Sequence, residues 1–266
     1  MSNVYFPRLD TSKYFNHKQM VFLINVSENR DQELYESLSG VVVGRGSDSI
    51  ALQIPYPTEH VSPANESRNP VFKITTEAMG NGVQVLADLI RVEPGNIFHL
   101  KLRGGLEMYQ RRQVPRIDTT IKLFQIQRNS SLDIYRREFL RIRAQILNQG
   151  VPSSLAMRDA VVNLGVGGIR VECEAKAHPS LLSMFFVRLY DSEIPVCALG
   201  ELVWSRVGND MRMCGYRFIQ ISKADQERIK GYIQLLLKQQ KLVVPAPKSN
   251  WELLDRMMCD VALGAP

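Results

Sequence analysis

The sequence has few of the residues on which metalloproteins and many enzymes depend. Its 266 residues include only four histidines and four cysteines, and the cysteines, at positions 173, 197, 214 and 259, form no Cys-x-x-Cys pair. We expect no zinc site, because structural zinc needs closely grouped Cys or His ligands. The sequence also lacks a Gly-x-Ser-x-Gly elbow and a phosphate loop ending in Gly-Lys-Ser/Thr. These absences predict a protein that is not an enzyme, with no catalytic residues, no metal and no cofactor.

Long hydrophobic runs are also missing, although 45% of the residues are hydrophobic. The longest apolar stretches, residues 181–187 and 233–237, are far shorter than the roughly 20 residues that a helix needs to span a bilayer. The N-terminus shows no basic segment followed by a long apolar core, so no signal peptide is evident. We therefore expect a cytoplasmic protein without a membrane span.

The chain does have a basic excess, with a formal net charge of +6 at pH 7. This charge favours an anionic partner, but it does not choose between a small nucleotide, a nucleic acid and a membrane surface. The length is sufficient for two domains, each with a core of its own.

Short strand-like runs separated by glycine and proline dominate the sequence. A first series is expected at residues 18–25, 38–43, 50–54, 71–76, 83–92 and 96–102. The pair at 104–105, Gly-Gly, is expected to end it. A second series is expected at residues 117–127, 140–147, 160–163, 168–173, 184–190, 196–206 and 213–219. Because regular short strands are typical of barrels, the sequence predicts a mainly β fold of two small antiparallel β-barrels.

Two helices are expected near the C-terminus. Ser222 can cap the first one, and its apolar residues recur on one face at positions 229, 232, 233, 236 and 237. A capping box from Ser249 to Glu252 predicts a second, short helix in the tail. We expect the tail to dock on its own domain or to form a homodimer contact. Trp204 is expected in the core.

Arginine is concentrated in two similar clusters. Residues 111–116 read Arg-Arg-Gln-Val-Pro-Arg, and residues 136–141 read Arg-Arg-Glu-Phe-Leu-Arg. A guanidinium group is a planar fork of donors that matches phosphate oxygens or the O6/N7 edge of guanine. A glycine-rich turn, Asn-Leu-Gly-Val-Gly-Gly at residues 163–168, follows both clusters. Its glycines can adopt positive φ and can let the backbone approach a ligand closely.

This order of motifs resembles the signature of PilZ domains, which are bacterial receptors for cyclic di-GMP. The family pattern is Arg-x-x-x-Arg followed by Asp/Asn-x-Ser-x-x-Gly, so Asn163 and Gly168 match whereas Gly165 replaces the serine. Later segments at 200–204 and 215–218 also resemble PilZ strands. The resemblance implies a split-barrel-like domain of the flagellar-brake type at residues 1–108, a PilZ domain at 109–242 that ends in an α-helix, and a tail with a short helix at 243–266.

The resemblance also implies a binding site and a function. The ligand-binding residues would be Arg111, Arg112, Arg116, Asn163, Gly165 and Gly168, with Arg136, Arg137 and Arg141 as a reserve cluster. Binding of cyclic di-GMP at the junction of the two domains would change their arrangement and the surface offered to a partner. That partner would belong to flagellar, secretion or polysaccharide machinery, with an output in motility or biofilm formation.

Several alternatives stay open at the level of sequence. Either arginine cluster could bind the ligand. The second cluster lies nearer to the turn, which is the spacing that the family usually shows. The first cluster lies at the predicted domain junction and leads into a strand, and we favour it as the ligand-binding cluster. Each cluster can instead be a solvated surface or the partner of nearby carboxylates such as Glu138. The replacement of serine by Gly165 leaves open a PilZ-like adaptor that has lost its ligand. A barrel that binds single-stranded nucleic acid is a further alternative.

Overall fold

The computed structural model describes residues 14–27, 33–56, 70–78, 81–109, 114–153, 155–190, 194–208 and 210–241. Within these ranges the chain forms twelve β-strands and two α-helices. The described residues divide into two compact units. The first holds residues 14–27 and 37–109, and the second holds residues 33–36 and 114–241. In the part of the chain that is described, neither helix has the length and apolar character needed to cross a membrane.

The first unit is a closed antiparallel β-barrel. Strand β1 pairs with β4, β4 with β5, β5 with β6, β6 with β3 and β3 with β2, and β2 pairs back with β1. The first three residues of β2 belong to the second unit. The strands are β1 (Met20–Asn25), β2 (Leu34–Arg45), β3 (Ser49–Gln53), β4 (Val71–Ala78), β5 (Asn81–Glu93) and β6 (Ile97–Tyr109).

Alternation of side chains builds the core of the first barrel. Successive side chains of a strand point to opposite faces, so every second residue of each strand faces inward. In β1, for example, Val21 and Leu23 are fully buried while Phe22 and Ile24 are half-buried. All six strands of the first predicted series are confirmed, because their alternation is a local property of the sequence.

The expectation that the glycine pair ends this series is wrong. Strand β6 continues to Tyr109, and its register against β5 shifts between Gln84 and Leu86, opposite the two glycines. Gly104 has a φ of 69°, which a residue with a side chain rarely adopts. The glycine pair therefore forms an irregularity inside a strand, as glycines in strands often do.

The second unit is also a closed antiparallel β-barrel. Its strands pair in the order β12, β11, β10, β7, β8 and β9, and β9 pairs back with β12. The start of β2 adds to β12 through residues 34–36. The elements are β7 (Ile117–Gln127), α1 (Leu132–Gln149), β8 (Arg158–Gly165), β9 (Gly168–Glu174), β10 (Leu182–Arg188), β11 (Val196–Val207), β12 (Met211–Ser222) and α2 (Lys223–Gln239). The predicted mainly β, two-barrel fold is confirmed.

Helix α2 packs against the core of this barrel as the sequence predicts. Ser222 caps it by accepting a hydrogen bond from the backbone amide of Asp225 at 3.1 Å. Ile229 and Ile233 are fully buried in the same core as Phe185 and Tyr216. The rings of Phe185 and Tyr216 meet edge to face, with centroids 5.0 Å apart. The helix is thus held by apolar burial on one face and by its cap.

The prediction of a strand at residues 140–147 is wrong, because helix α1 covers this segment. Its buried residues, Leu132, Tyr135, Phe139 and Ile146, recur at helical spacing. Ser131 caps the helix by accepting a hydrogen bond from the amide of Ile134. The Tyr135 hydroxyl accepts from the amide of Arg128 at 2.7 Å and lies 3.1 Å from the carbonyl oxygen of Leu182. The second arginine cluster therefore lies on a helix and not at the start of a strand.

Candidate functional site

The glycine-rich turn is a tight hairpin between β8 and β9. Gly165 pairs with Gly168, and the carbonyl of Gly167 accepts a hydrogen bond of 3.0 Å from the amide of Phe218 on β12. None of the three glycines of this hairpin has a positive φ, so that expectation is wrong. Two of them, Gly165 and Gly168, instead allow other groups to approach closely.

Gly168 allows β9 to approach the backbone of β12. A β-carbon at this position would overlap the carbonyl oxygen of Tyr216 and would lie 3.3 Å from Cα of Arg217. Backbone atoms cannot swing aside as a long side chain can. Gly168 is therefore required by the packing of the two strands.

Gly165 allows the last arginine of the first cluster to lie across the hairpin. A β-carbon at position 165 would be 2.8 Å from Cγ of Arg116 and 3.4 Å from its Nε. Carbon atoms do not pack as closely as 2.8 Å, so any side chain at 165 would push the arginine away. The residue that departs from the PilZ pattern is thus the one that makes room for Arg116.

A row of polar side chains crosses the outer face of the barrel beside the hairpin. Ile117, Leu164 and Ile169 face the core, so the residues next to them in the chain face outward. Asp118, Asn163 and Arg170 are direct neighbours on β7, β8 and β9.

One carboxylate oxygen links the three side chains of this row. Oδ1 of Asp118 accepts a hydrogen bond of 3.0 Å from Nδ2 of Asn163 and one of 2.7 Å from Nη2 of Arg170. The Asp118 side chain is 68% exposed and that of Arg170 is 31% exposed, so both are accessible from solvent. The row offers both hydrogen-bond donors and acceptors to a ligand on the barrel surface.

A third arginine borders the hairpin on its other side. Arg217 on β12 stands opposite Gly168, and its Nη2 donates a hydrogen bond of 3.1 Å to the hydroxyl of Tyr35. Tyr35 belongs to the segment of β2 that pairs with β12 in the second unit. Three arginines from different parts of the chain thus surround one hairpin: Arg116, Arg170 and Arg217.

Three members of this face were not predicted from the sequence: Asp118, Arg170 and Arg217. A two-residue turn between positions 165 and 168 places residue 170 directly opposite residue 163, and this signal could have identified Arg170. The neighbours on β7 and β12 depend on pairing between distant segments, which no local pattern reveals. Motif spacing therefore identifies Asn163 and not the residues that strand pairing places beside it.

Trp204 is not in the core, contrary to the prediction. It is 41% exposed, and its indole ring covers Gly215, where any β-carbon would overlap the ring. Gly215 stands opposite Arg170. The exposed indole therefore extends the polar row by one aromatic side chain.

The second arginine cluster is not brought to the hairpin. Helix α1, which carries Arg136, Arg137 and Arg141, packs against β10 and β11. In the closed ring of six strands these two lie on the opposite side from β8 and β9. The reserve cluster therefore does not lie on the same side of the barrel as Arg116 and the hairpin.

Arg141 already has a carboxylate partner on its own helix. Its Nη2 lies 2.8 Å from Oε2 of Glu138, in an ion pair exposed to solvent. The hydrogen bond from Arg141 lowers the pKa of the Glu138 carboxyl group, and the same bond raises the pKa of Arg141. The sequence alternative of a surface pairing with Glu138 is confirmed for this arginine.

Two other predictions fall on residues outside the described ranges. They are the ligand contacts of Arg111 and Arg112, and the short helix or dimer contact of the tail at 243–266. Arg116 is the arginine of the first cluster that lies within the described residues, and it is located at the hairpin.

Comparison with known protein families finds a match within the second unit. Residues 135–235 match the family model described as PilZ domain, and the matched segment contains Asn163, Gly165 and Gly168. The chain therefore contains a PilZ domain, as the motifs predict. No curated protein matches the chain in sequence.

Solved structures resemble the chain only distantly. The inhibitor of motility MotI/DgrA of Bacillus subtilis is 12% identical, over 86% of this chain and 100% of that one, with a TM-score of 0.34. MrkH of K. pneumonia in its apo state is 13% identical, over 84% of this chain and 90% of that one, with a TM-score of 0.37. YcgR from Escherichia coli in complex with c-di-GMP is 12% identical, over 84% of this chain and 86% of that one, with a TM-score of 0.30. These TM-scores are too low to carry a functional conclusion.

Proposed function

We propose that the protein is a receptor for cyclic di-GMP and that the β8–β9 hairpin face of its PilZ domain binds the nucleotide. The observation that carries this proposal is the position of Arg116 across Gly165, which lies two residues from Asn163 on β8. This position brings the arginine element and the glycine-containing element of the PilZ motif close together in space, although 47 residues separate Arg116 from Asn163 in the chain.

The charges of this face suit a small ligand with two phosphates. A hydrogen bond to a charged group contributes about 1.5–3 kcal/mol, and a micromolar Kd corresponds to about 8 kcal/mol. Contacts from Arg116, Arg170 and Arg217 are therefore of the right order to hold a dianion with the help of base contacts. Arg111 and Arg112, just before Arg116 in the chain, would add to these contacts.

The missing serine hydroxyl does not remove the basis for binding. A neutral hydrogen bond contributes about 0.5–1.5 kcal/mol, so its loss weakens binding about tenfold at most. The close approach of Arg116 that Gly165 allows can compensate, because a charge-assisted contact is stronger than a neutral one.

Calorimetric titration of the full chain with cyclic di-GMP tests the proposal. We expect saturable heat with a Kd in the micromolar range or below. If the folded protein gives no heat at nucleotide concentrations on the order of tens of micromolar, the receptor proposal is wrong.

That negative result would favour the second candidate, an adaptor that has lost its ligand. Asp118 is the observation that supports this candidate, because its carboxylate already neutralises Arg170 at 2.7 Å. An adaptor would act through protein contacts alone.

We further propose that the nucleotide changes the arrangement of the two units and so controls a protein partner in motility, biofilm or polysaccharide output. The support is the chain order: residues 111–116 follow the last strand of the first unit and lead into the first long strand of the second. Small-angle X-ray scattering with and without saturating nucleotide tests this step. An unchanged radius of gyration would contradict it.

A further inference from the structure

Helix α1 carries a stripe of alternating arginines and leucines along one flank. Arg136, Leu140, Arg143 and Leu147 follow one another at helical spacing, so they lie on the same side of the helix over a length of about 16 Å. Leu140 is 46% exposed and Leu147 is 52% exposed. Single exposed leucines are normal on protein surfaces, but here two of them alternate with cations.

The arginines of this stripe have no carboxylate partner. Arg141, on another side of the helix, is paired with Glu138, whereas neither Arg136 nor Arg143 has an ion pair among the described residues. Nε of Arg136 is also shielded from solvent and lacks an acceptor there. A guanidinium presents a planar fork of donors that matches a carboxylate. The stripe is therefore complementary in charge to an acidic segment.

A cavity adjoins the C-terminal half of the stripe. It has a volume of about 370 Å³ and lies between α1, the residues around the beginning of β11 and the beginning of α2. Arg143 and Leu147 line it together with Ile194, which is half exposed. Asp225 also lines it, but Arg228 binds the Asp225 carboxylate at 2.9 Å. The cavity thus offers space for an apolar side chain beside the unpaired Arg143.

The shape of this surface favours a protein segment over a bilayer or a nucleic acid. The main apolar face of α1 is buried, so the helix cannot lay that face into a membrane as an interfacial helix does. Nucleic acids present phosphates and bases but no aliphatic side chain for the cavity. An amphipathic helix with apolar residues one turn apart and acids beside them matches both the leucines and the arginines.

We propose that the stripe and the adjoining cavity form a docking surface for an acidic amphipathic segment of a protein partner. The surface is separate from the nucleotide site, because α1 packs against β10 and β11, opposite the hairpin. The proposal therefore does not require that the hairpin binds cyclic di-GMP.

Selection of a random peptide library on the full chain tests the proposal. The displayed peptides are about 12 residues long, which is roughly three helical turns and spans the stripe. The library is first depleted on the Arg143→Glu variant, so that binders of other surfaces are removed. We expect enriched peptides with apolar residues three or four positions apart and Asp or Glu beside them.

The affinity of the best enriched peptide, measured by fluorescence anisotropy, should depend on the stripe alone. Arg143→Glu should weaken it about ten- to hundredfold, because a charge-assisted contact becomes repulsion. Leu147→Ala should weaken it about tenfold through lost apolar contact. Arg141→Glu is the matched control, since it makes the same charge change on the same helix outside the stripe, and it should change affinity about twofold at most. Thermal unfolding confirms that each variant is folded.

The results that would overturn the proposal are distinct from those that concern the nucleotide. Failure to enrich peptides with acidic and apolar residues would overturn it, and so would equal losses in Arg141→Glu and Arg143→Glu. Binding of the full chain to phosphatidylglycerol vesicles that is lost in Arg143→Glu would assign the surface to a membrane instead. A dimer in light scattering that Leu147→Ala dissociates would assign it to a second copy. Arg143→Glu should bind cyclic di-GMP as the unmodified chain does, so the two proposals fail separately.

Discussion

The two arginine-rich regions look alike in sequence and differ in structure. On α1 the arginines lie on one exposed helix, and Arg141 is paired with Glu138 one turn away. At the hairpin, Arg116, Arg170 and Arg217 come from separate segments and meet around two glycines that admit close neighbours. On α1 the arginines are close to one another because they are neighbours in the sequence. At the hairpin, the pairing of β7, β8, β9 and β12 brings arginines from separate segments together.

Charge reversal at one arginine of each region should give the largest difference. Arg116→Glu replaces a charge-assisted contact of about 1.5–3 kcal/mol by repulsion, so we expect cyclic di-GMP affinity to fall about 100-fold or more. Arg141→Glu, on the opposite side of the barrel, should change affinity by about threefold at most, since distant exposed charges are screened. Titration of both variants checks this. Equal losses in the two variants would remove the distinction between the regions.

Glycine substitutions in the hairpin should give the next largest effect. Gly168→Ala places a methyl group against the Tyr216 carbonyl oxygen, and overpacking of this kind costs about 1–3 kcal/mol of unfolding free energy. At Gly167 nothing lies within 4 Å of a β-carbon, and its φ is not positive. Gly167→Ala should therefore stay within about 0.5 kcal/mol of the unmodified protein. Urea denaturation measures both, and a stable Gly168→Ala variant would contradict the packing described here.

The smallest effect is expected where the chain departs from the PilZ pattern. Gly165→Ser restores the family residue, but its β-carbon would displace Arg116 from the hairpin. The hydroxyl adds a contact of about 0.5–1.5 kcal/mol while the arginine contact weakens, so affinity should stay within about fivefold. A tenfold or greater gain in a cyclic di-GMP titration would show that Arg116 does not replace the serine.

The elements of the fold that depend only on residues close together in the sequence could be predicted. Strands such as β1 and β7 follow from alternation within a few residues, and α2 follows from its cap at Ser222 and its apolar face. The helical spacing of Leu132, Tyr135 and Phe139 is equally local, so α1 could also have been predicted from the sequence.

The site itself could be predicted only in part. Asn163 and Gly168 belong to one contiguous motif. Arg116 belongs to the first arginine cluster, whose distance from the glycine-rich turn fits the PilZ pattern less well than that of the second cluster. Asp118 and Arg217 join the face through the pairing of β7 and β12 with the hairpin, over separations of 45 residues (163 − 118) and 49 residues (217 − 168). Only the closed barrel brings these residues together, so no window of the sequence contains them.

The central claim is that the hairpin face, and not helix α1, binds the nucleotide. Amide chemical-shift mapping of the full chain during titration with cyclic di-GMP tests it most directly. We predict shifts at residues 116–118, 163–170 and 215–217, with residues 134–148 of α1 unchanged. Shifts confined to α1, with the hairpin amides unchanged at saturation, would contradict the account.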